Sequence, residues 1–141
     1  MPDDTGDTRD HAGMVVLTSD ECDELLASTA VGRVAFVSDG DPVILPVNYR
    51  YHEGSIVFRT EAGAKLDAAA RRTAVAFEID EWDPDARTGW SVLVKGVATA
   101  VEENDEAEEL YGLGLLPWTH ALEKRRWVRI LPEEVSGRKV V

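Results

Sequence analysis

The chain has 141 residues, a formal net charge of −12 at pH 7 and one cysteine, Cys22. Its length suits a single domain, and its acidic balance makes nucleic acid a poor partner, because phosphate groups repel a negative surface. No apolar run approaches the ~20 residues that a membrane-spanning helix needs, and the polar, acidic N-terminal residues do not resemble a signal peptide. We therefore expect a cytoplasmic protein that binds neither nucleic acid nor a membrane and has no intrachain disulfide.

The N-terminal part is predicted to contain a tail and one helix. Residues 1–13 combine several aspartates with little apolar content, so we expect a disordered acidic tail ahead of a domain that spans residues 14–141. Thr18 and Glu21 have the spacing of a capping box, which predicts a helix that continues to about Ser28.

Three strands are predicted after this helix, over residues 32–37, 43–51 and 56–60. Short turn segments separate them, and such turns favour antiparallel pairing. Pro46 lies inside the second strand, where its missing N–H indicates an edge, a bulge or a stretch of backbone that faces a ligand.

The second half of the chain alternates helices and strands. Its predicted elements are a helix over 62–72, a strand over 74–79, a loop over 82–86, a strand over 90–101, a helix over 104–116, and a strand over 127–131 with a polar extension after it. Six short strands with few helices predict a mainly β (α+β) fold, a six-stranded antiparallel barrel with peripheral helices. A parallel α/β sheet is the alternative, but the helices are too few and the turns too short for it.

A strand-to-helix corner carries the candidate chemistry. Arg59 and Thr60 end a predicted strand, and Lys65 enters the next predicted helix. Because a helix start offers free N–H groups and a positive dipole end, Arg59 and Lys65 could flank a phosphate, with Thr60 adding a hydroxyl donor. The alternative is a pair of surface cations that neutralise Glu61 or Asp67. No Cys/His cluster has metal-ligand spacing, so no metal site is predicted.

Over about residues 15–139 the chain resembles the pyridoxamine 5′-phosphate oxidase-like family of flavin-binding proteins, in particular its short flavin-binding subgroup. The resemblance lies in the order of its motifs, which are Pro-Val-Asn-Tyr at 46–49, Val-Phe-Arg-Thr at 57–60, Gly-Ala-Lys-Leu at 63–66, the strand 89–98, Pro-Trp at 117–118, Trp-Val-Arg-Ile at 127–130 and Gly-Arg at 137–138. It implies a split β-barrel, assembled as a homodimer with two FMN molecules at the subunit interface.

The resemblance also assigns roles by position. Arg59, Thr60 and Lys65 would hold the phosphate, and the segment 46–49 would run along the isoalloxazine, largely through its backbone. The candidate cofactor-binding residues are Pro46, Val47, Asn48, Tyr49, Phe58, Arg59, Thr60, Lys65, Trp90, Ser91 and Trp118.

Several of these residues have a second interpretation. Trp90 and Ser91 would close the flavin site from the partner subunit, but Trp90 also suits an ordinary interface aromatic. Val47 and Tyr49 also suit the barrel core. Trp118 and Arg126 are weaker candidates for the ring environment.

The expected function is that of an FMN-binding oxidoreductase acting on an unidentified small organic substrate. No catalytic side chain is nominated, because a flavin carries the redox chemistry itself. In the true pyridoxamine phosphate oxidases that the chain resembles, further basic and hydroxyl residues flank the phosphate-binding lysine, and a C-terminal Arg-and-His segment helps hold the substrate. Here Ala64 precedes Lys65 and residues 133–141 contain no histidine, so oxidation of a vitamin B6 phosphate is not expected. The alternatives are a deazaflavin-dependent reductase, a flavin- or haem-binding module without turnover, and a dimeric barrel without a ligand.

Overall fold

A computed structural model of the chain describes residues 8–61, 71–101 and 125–141. These residues form one helix, α1 (Ser19–Ser28), and the strands β1 (Thr8–Arg9), β2 (Val15–Val16), β3 (Val31–Ser38), β4 (Asp41–His52), β5 (Ser55–Glu61), β6 (Arg71–Asp83), β7 (Thr88–Val101) and β8 (Arg125–Val140). Among the described residues, no helix is long and apolar enough to cross a bilayer.

Strands β3 to β8 close into an antiparallel ring. Their order is β8-β5-β4-β3-β6-β7, and β7 pairs back onto β8. The six-stranded antiparallel barrel predicted from the sequence is therefore confirmed. The short strands β1 and β2 extend the sheet beyond the ring, because β2 pairs with the C-terminal end of β8 at Lys139 and Arg138.

Alternating apolar residues of the ring strands fill the barrel interior. The largest fully buried side chains include Tyr49, Phe58 and Phe77. The rings of Tyr49 and Phe77 meet edge to face, with centroids 4.8 Å apart. Gly32 makes room for this contact, because a Cβ there would lie 2.2 Å from Phe77 Cζ.

Helix α1 begins as the sequence predicts. Thr18 Oγ1 accepts a hydrogen bond from the N–H of Glu21 at 3.2 Å, and Glu21 Oε1 accepts one from the N–H of Thr18 at 2.9 Å. The capping box is thus complete. Cys22 and Leu26 are buried against the barrel, and Cys22 is a free thiol.

The described N-terminal residues differ from the predicted disordered tail of residues 1–13. Thr8–Arg9 forms a strand that pairs with β2. Asp10 Oδ1 accepts hydrogen bonds from the N–H groups of Ala12 and Met14, at 2.9 and 3.0 Å. The composition of this segment predicted disorder because it is acidic and has few apolar residues. Composition does not show that Asp10 stabilises a local turn or that Thr8–Arg9 pairs with β2.

Two strand boundaries also differ from the prediction. β6 begins at Arg71 and continues to Asp83, so the predicted helix end at 71–72 and the loop at 82–83 are wrong. β8 continues to Val140, although a polar extension was predicted after Leu131. Its C-terminal half pairs with β7 over Gly89–Gly96, a long-range ladder that no local pattern reveals. The predicted helices over 62–70 and 104–116 lie outside the described residues.

Candidate functional site

Strand alternation divides the candidate residues of β4 between two faces. Val47 and Tyr49 point into the barrel, with 7% and 0% of their surface exposed. Pro46 is exposed and Asn48 half-buried, and both point outward. A ligand outside the barrel can therefore meet the side chains of Pro46 and Asn48, but only the backbone of Val47 and Tyr49.

Tyr49 ties the helix to the barrel. Its hydroxyl donates a 2.8 Å hydrogen bond to the carbonyl oxygen of Leu26 in the last turn of α1. Burial raises the pKa of Tyr49 to about 12, so the phenol stays protonated and remains a donor at ordinary pH. These contacts match the interpretation of Tyr49 as a core residue.

β4 changes its hydrogen-bonded neighbour beside the candidate residues. It pairs with β3 from Asp41 to Asn48, and with β5 only from Tyr49 onward. The N–H of Tyr49 donates to the carbonyl of Ala30 at 3.1 Å. Within the described residues, β4 therefore has no strand partner on its β5 side over residues 41–47, and Pro46 in this segment had indicated such an edge.

Of the predicted phosphate-binding residues, Arg59 and Thr60 lie in the described part of the chain, and of these two Arg59 points out of the barrel. It pairs in register with Trp127 on β8, and its Cζ lies 5.4 Å from the centroid of the indole ring. This cation–π contact holds the guanidinium close to the barrel wall. Phe58 and Thr60 point to the opposite face, with 0% and 9% exposed. Lys65 and Trp118 lie outside the described residues.

Trp90 and Ser91 are neighbours on β7, so their side chains lie on opposite faces of the sheet. Trp90 turns toward α1 and lines a groove of about 450 Å³ together with Leu17, Leu25 and Lys139. Ser91 points outward and lines a second groove of about 420 Å³. The other residues that line this groove come from β6, β7 and β8, and they are Glu78, Leu93, Lys95, Glu134, Ser136, Gly137 and Arg138.

The outward residues of four neighbouring strands form one continuous surface, which we call the outer face. Its members are Val31, Arg33, Ile44, Pro46, Asn48, Glu78, Asp80, Ser91 and Leu93. In its central row Arg33 pairs with both Pro46 and Glu78, and Glu78 pairs with Leu93. Adjacent strands are ~4.8 Å apart, so Pro46 and Leu93 are separated by roughly 14 Å along the sheet. Because the outside of a barrel is convex, these side chains diverge.

A charged cluster on the outer face was not found by sequence reasoning. Arg33 Nη1 lies 3.4 Å from Glu78 Oε1 and 3.1 Å from Asp80 Oδ2, across 45 and 47 residues of sequence. Burial, followed by the hydrogen bond and charge of Asp80, raises the pKa of Glu78 to about 7, although Arg33 acts in the opposite direction. The only sequence signal was two carboxylates at alternate strand positions.

Comparison with known proteins assigns the chain to a family. A family model described as pyridoxamine 5′-phosphate oxidase matches residues 18–139, so the chain belongs to this family, and the resemblance seen in the sequence is confirmed.

Its relatives include an uncharacterised protein of Mycobacterium tuberculosis, which is 40% identical over 91% of this chain and 86% of its own length. The FAD binding protein from Mycobacterium smegmatis is 38% identical, with a TM-score of 0.75 over 89% of this chain and 99% of that one. A FAD-binding protein from Mesorhizobium loti is 26% identical, with a TM-score of 0.74 over 91% and 99% of the two chains. These neighbours have the split-barrel fold.

Proposed function

We propose that this chain is a flavin-binding oxidoreductase that holds its cofactor against the outside of the barrel, with the flavin phosphate at Arg59 on β5 and the isoalloxazine along residues 46–49 of β4. The observation that carries the proposal is the outward position of Arg59 beside the edge of β4 that carries no strand. Two solved relatives that bind FAD support it.

The donors and surfaces of this region fit a flavin nucleotide. A guanidinium binds phosphate oxygens through two parallel N–H groups, and contact with Trp127 restricts the movement of the Arg59 side chain. The flavin ring needs an apolar wall and a few donors for its polar edge, which Pro46 and the backbone of β4 offer. Lys65 is proposed as a second phosphate ligand and Trp118 as part of the ring environment.

A second subunit is part of the proposal. The outer face is convex, so one copy covers a planar ligand on one side only. In a homodimer, the second copy would close the site with its own Ser91, whose side chain points outward. Trp90 turns toward α1 in its own chain, so its contribution would come through its backbone.

The flavin, when bound, supplies hydride or electron transfer. The residues of this chain bind it, orient it and exclude water from one face. FMN is the cofactor expected from the sequence, and FAD is the form that the solved relatives bind, so the proposal covers both. The buried thiol of Cys22 agrees with a reducing compartment, and we propose a cytoplasmic location.

The first test is the absorbance spectrum of the purified protein, with mass identification of any nucleotide released on denaturation. Arg59→Gln is expected to weaken flavin binding by about 1–3 kcal/mol, roughly 5- to 150-fold, because a charged hydrogen bond is lost. Arg87→Gln removes the same charge at the exposed β6–β7 turn and serves as the matched control.

Three outcomes separate the alternatives. A colourless protein without affinity for FMN or FAD refutes the proposed function. Equal flavin affinity in Arg59→Gln and Arg87→Gln refutes the assignment of Arg59 to the phosphate but leaves flavin binding itself standing. Stoichiometric flavin that is never reduced by reduced nicotinamide cofactors favours a binding module without turnover over an oxidoreductase.

A further inference from the structure

Helix α1 presents two stripes of side chains with different surroundings. Cys22 and Leu26 form the stripe that is buried against the barrel. A second stripe does not enter the core and lines the groove of about 450 Å³ beside Trp90, and its members are Glu21, Glu24, Leu25 and Ser28. Residues at this spacing, i, i+3, i+4 and i+7, lie on one side of a helix. One face of α1 therefore forms a wall of this groove.

The opposite wall comes from the ends of β7 and β8. Trp90 and Lys139 are register partners on these two strands, and both side chains are half-buried. Lys139 Nζ lies 3.9 Å from Glu21 Oε2, which links this wall to the helix. The groove therefore has an aromatic surface on its strand side and both apolar and acidic side chains on its helix side.

Contacts around the groove hold its two walls in place. The hydroxyl of Tyr49 donates to the carbonyl of Leu26 at 2.8 Å, and the N–H of Leu17 donates to the carbonyl of Gly137 at 2.9 Å. The helix packs closely on β8, because a Cβ at Gly137 would lie 2.8 Å from Cys22 Sγ. A ligand would thus enter a groove that is already formed, which lowers the ordering cost of binding.

The charges of the groove select the kind of ligand. Lys139 lies beside Glu21, whereas the Glu24 carboxylate makes no ion pair or hydrogen bond within the part of the chain that the structure describes. The groove therefore has one carboxylate more than it has cations. The face of an indole ring also attracts cations, and the net charge of −12 raises the concentration of cations near the surface.

We propose that this groove binds a small organic amine, with the ammonium group at Glu24 and the indole of Trp90, and the hydrocarbon part against Leu17 and Leu25. An anion of the same size meets the excess carboxylate instead, and Lys139 is already occupied by Glu21. The inference is independent of the proposed function, because Trp90 turns toward α1 whereas the flavin is placed against the outside of β4 and β5.

Proton–nitrogen correlation NMR of the full-length chain tests this with probes of similar size and different charge. At neutral pH phenethylamine is a cation, phenethyl alcohol is neutral and hydrocinnamate is an anion. The indole N–H resonance of Trp90, assigned from its loss in Trp90→Phe, reports binding. Phenethylamine is expected to shift this resonance and to bind about 10-fold more tightly than phenethyl alcohol, and hydrocinnamate should leave the resonance in place.

Variants separate the contribution of the charge from that of the ring. Glu24→Gln should weaken phenethylamine binding by about 2- to 5-fold. Trp90→Leu should weaken it by about 3- to 30-fold, with a smaller effect on phenethyl alcohol, and the backbone amide of Leu25 is the reporter in this variant. Glu133→Gln removes the same charge at an exposed position of β8 that does not line the groove, and it should bind like the unchanged chain.

Selective binding of phenethylamine at Trp90, weakened in Glu24→Gln and Trp90→Leu but not in Glu133→Gln, supports the proposal. Equal affinity for the cationic, neutral and anionic probes overturns it, as do shifts that leave Trp90 and Leu25 unaffected. A Trp90 resonance that moves with protein concentration and not with phenethylamine shows that a second copy of the chain fills the groove, and this also overturns the proposal. The flavin assignment stands or falls separately, by the absorbance spectrum.

Discussion

Replacing Tyr49 by phenylalanine tests whether this side chain serves the fold or the cofactor. The change removes only the hydroxyl that donates to the carbonyl of Leu26 at 2.8 Å. Leu26 lies in the last four residues of α1, whose carbonyls have no donor within the helix. Loss of this buried hydrogen bond costs about 1–2 kcal/mol, which corresponds to a decrease in melting temperature of roughly 3–6 °C for a chain of this size.

The assay is urea unfolding followed by fluorescence, together with flavin titration of the folded variant. Tyr51→Phe is the matched control, because the Tyr51 hydroxyl donates to Asp23 Oδ1 at 2.9 Å in an exposed position. Its loss is expected to cost less than about 0.5 kcal/mol. Since Tyr49 points into the barrel, flavin affinity should stay unchanged in Tyr49→Phe. A folded variant with full stability and weakened flavin binding would refute this placement.

Two further predictions concern packing and capping. Gly32→Ala places a Cβ 2.2 Å from Phe77 Cζ, so unfolding experiments should show a loss of about 1–3 kcal/mol. Combining Gly32→Ala with Phe77→Leu should restore part of that stability, because the smaller side chain no longer meets the new Cβ. If the destabilisations of the two single variants simply add in the double variant, the proposed clash is wrong. Thr18→Ala removes the helix cap and should cost about 1 kcal/mol in thermal unfolding, whereas Thr18→Ser should retain most of the stability.

The elements that the sequence predicted well are those with local chemical signals. The capping box located the start of α1. Asp39–Gly40 and Glu53–Gly54 have positive φ at both residues of each pair, 51° and 81°, and 50° and 76°. Two such residues in succession make the tight turn that connects antiparallel strands, so the hairpins from β3 to β5 followed from turn chemistry.

The features that the sequence did not predict depend on distant parts of the chain. Residues 132–140 have few apolar positions, and only the ladder with β7 makes them a strand. The cluster of Arg33 with Glu78 and Asp80 joins β3 to β6, and no spacing rule connects these positions. The resemblance named the candidate site residues, but strand alternation decided which of them present a side chain outside the barrel.

The pairing of β8 has a consequence for how the protein folds during synthesis. β8 is hydrogen-bonded to β2, β5 and β7, and it comes last in the sequence. A nascent chain made from its N-terminus therefore exposes unpaired edges on these three strands until residues 125–140 leave the ribosome. Because open edges are templates for aggregation, the acidic character of the chain, which makes nascent copies repel one another, would protect it during this interval.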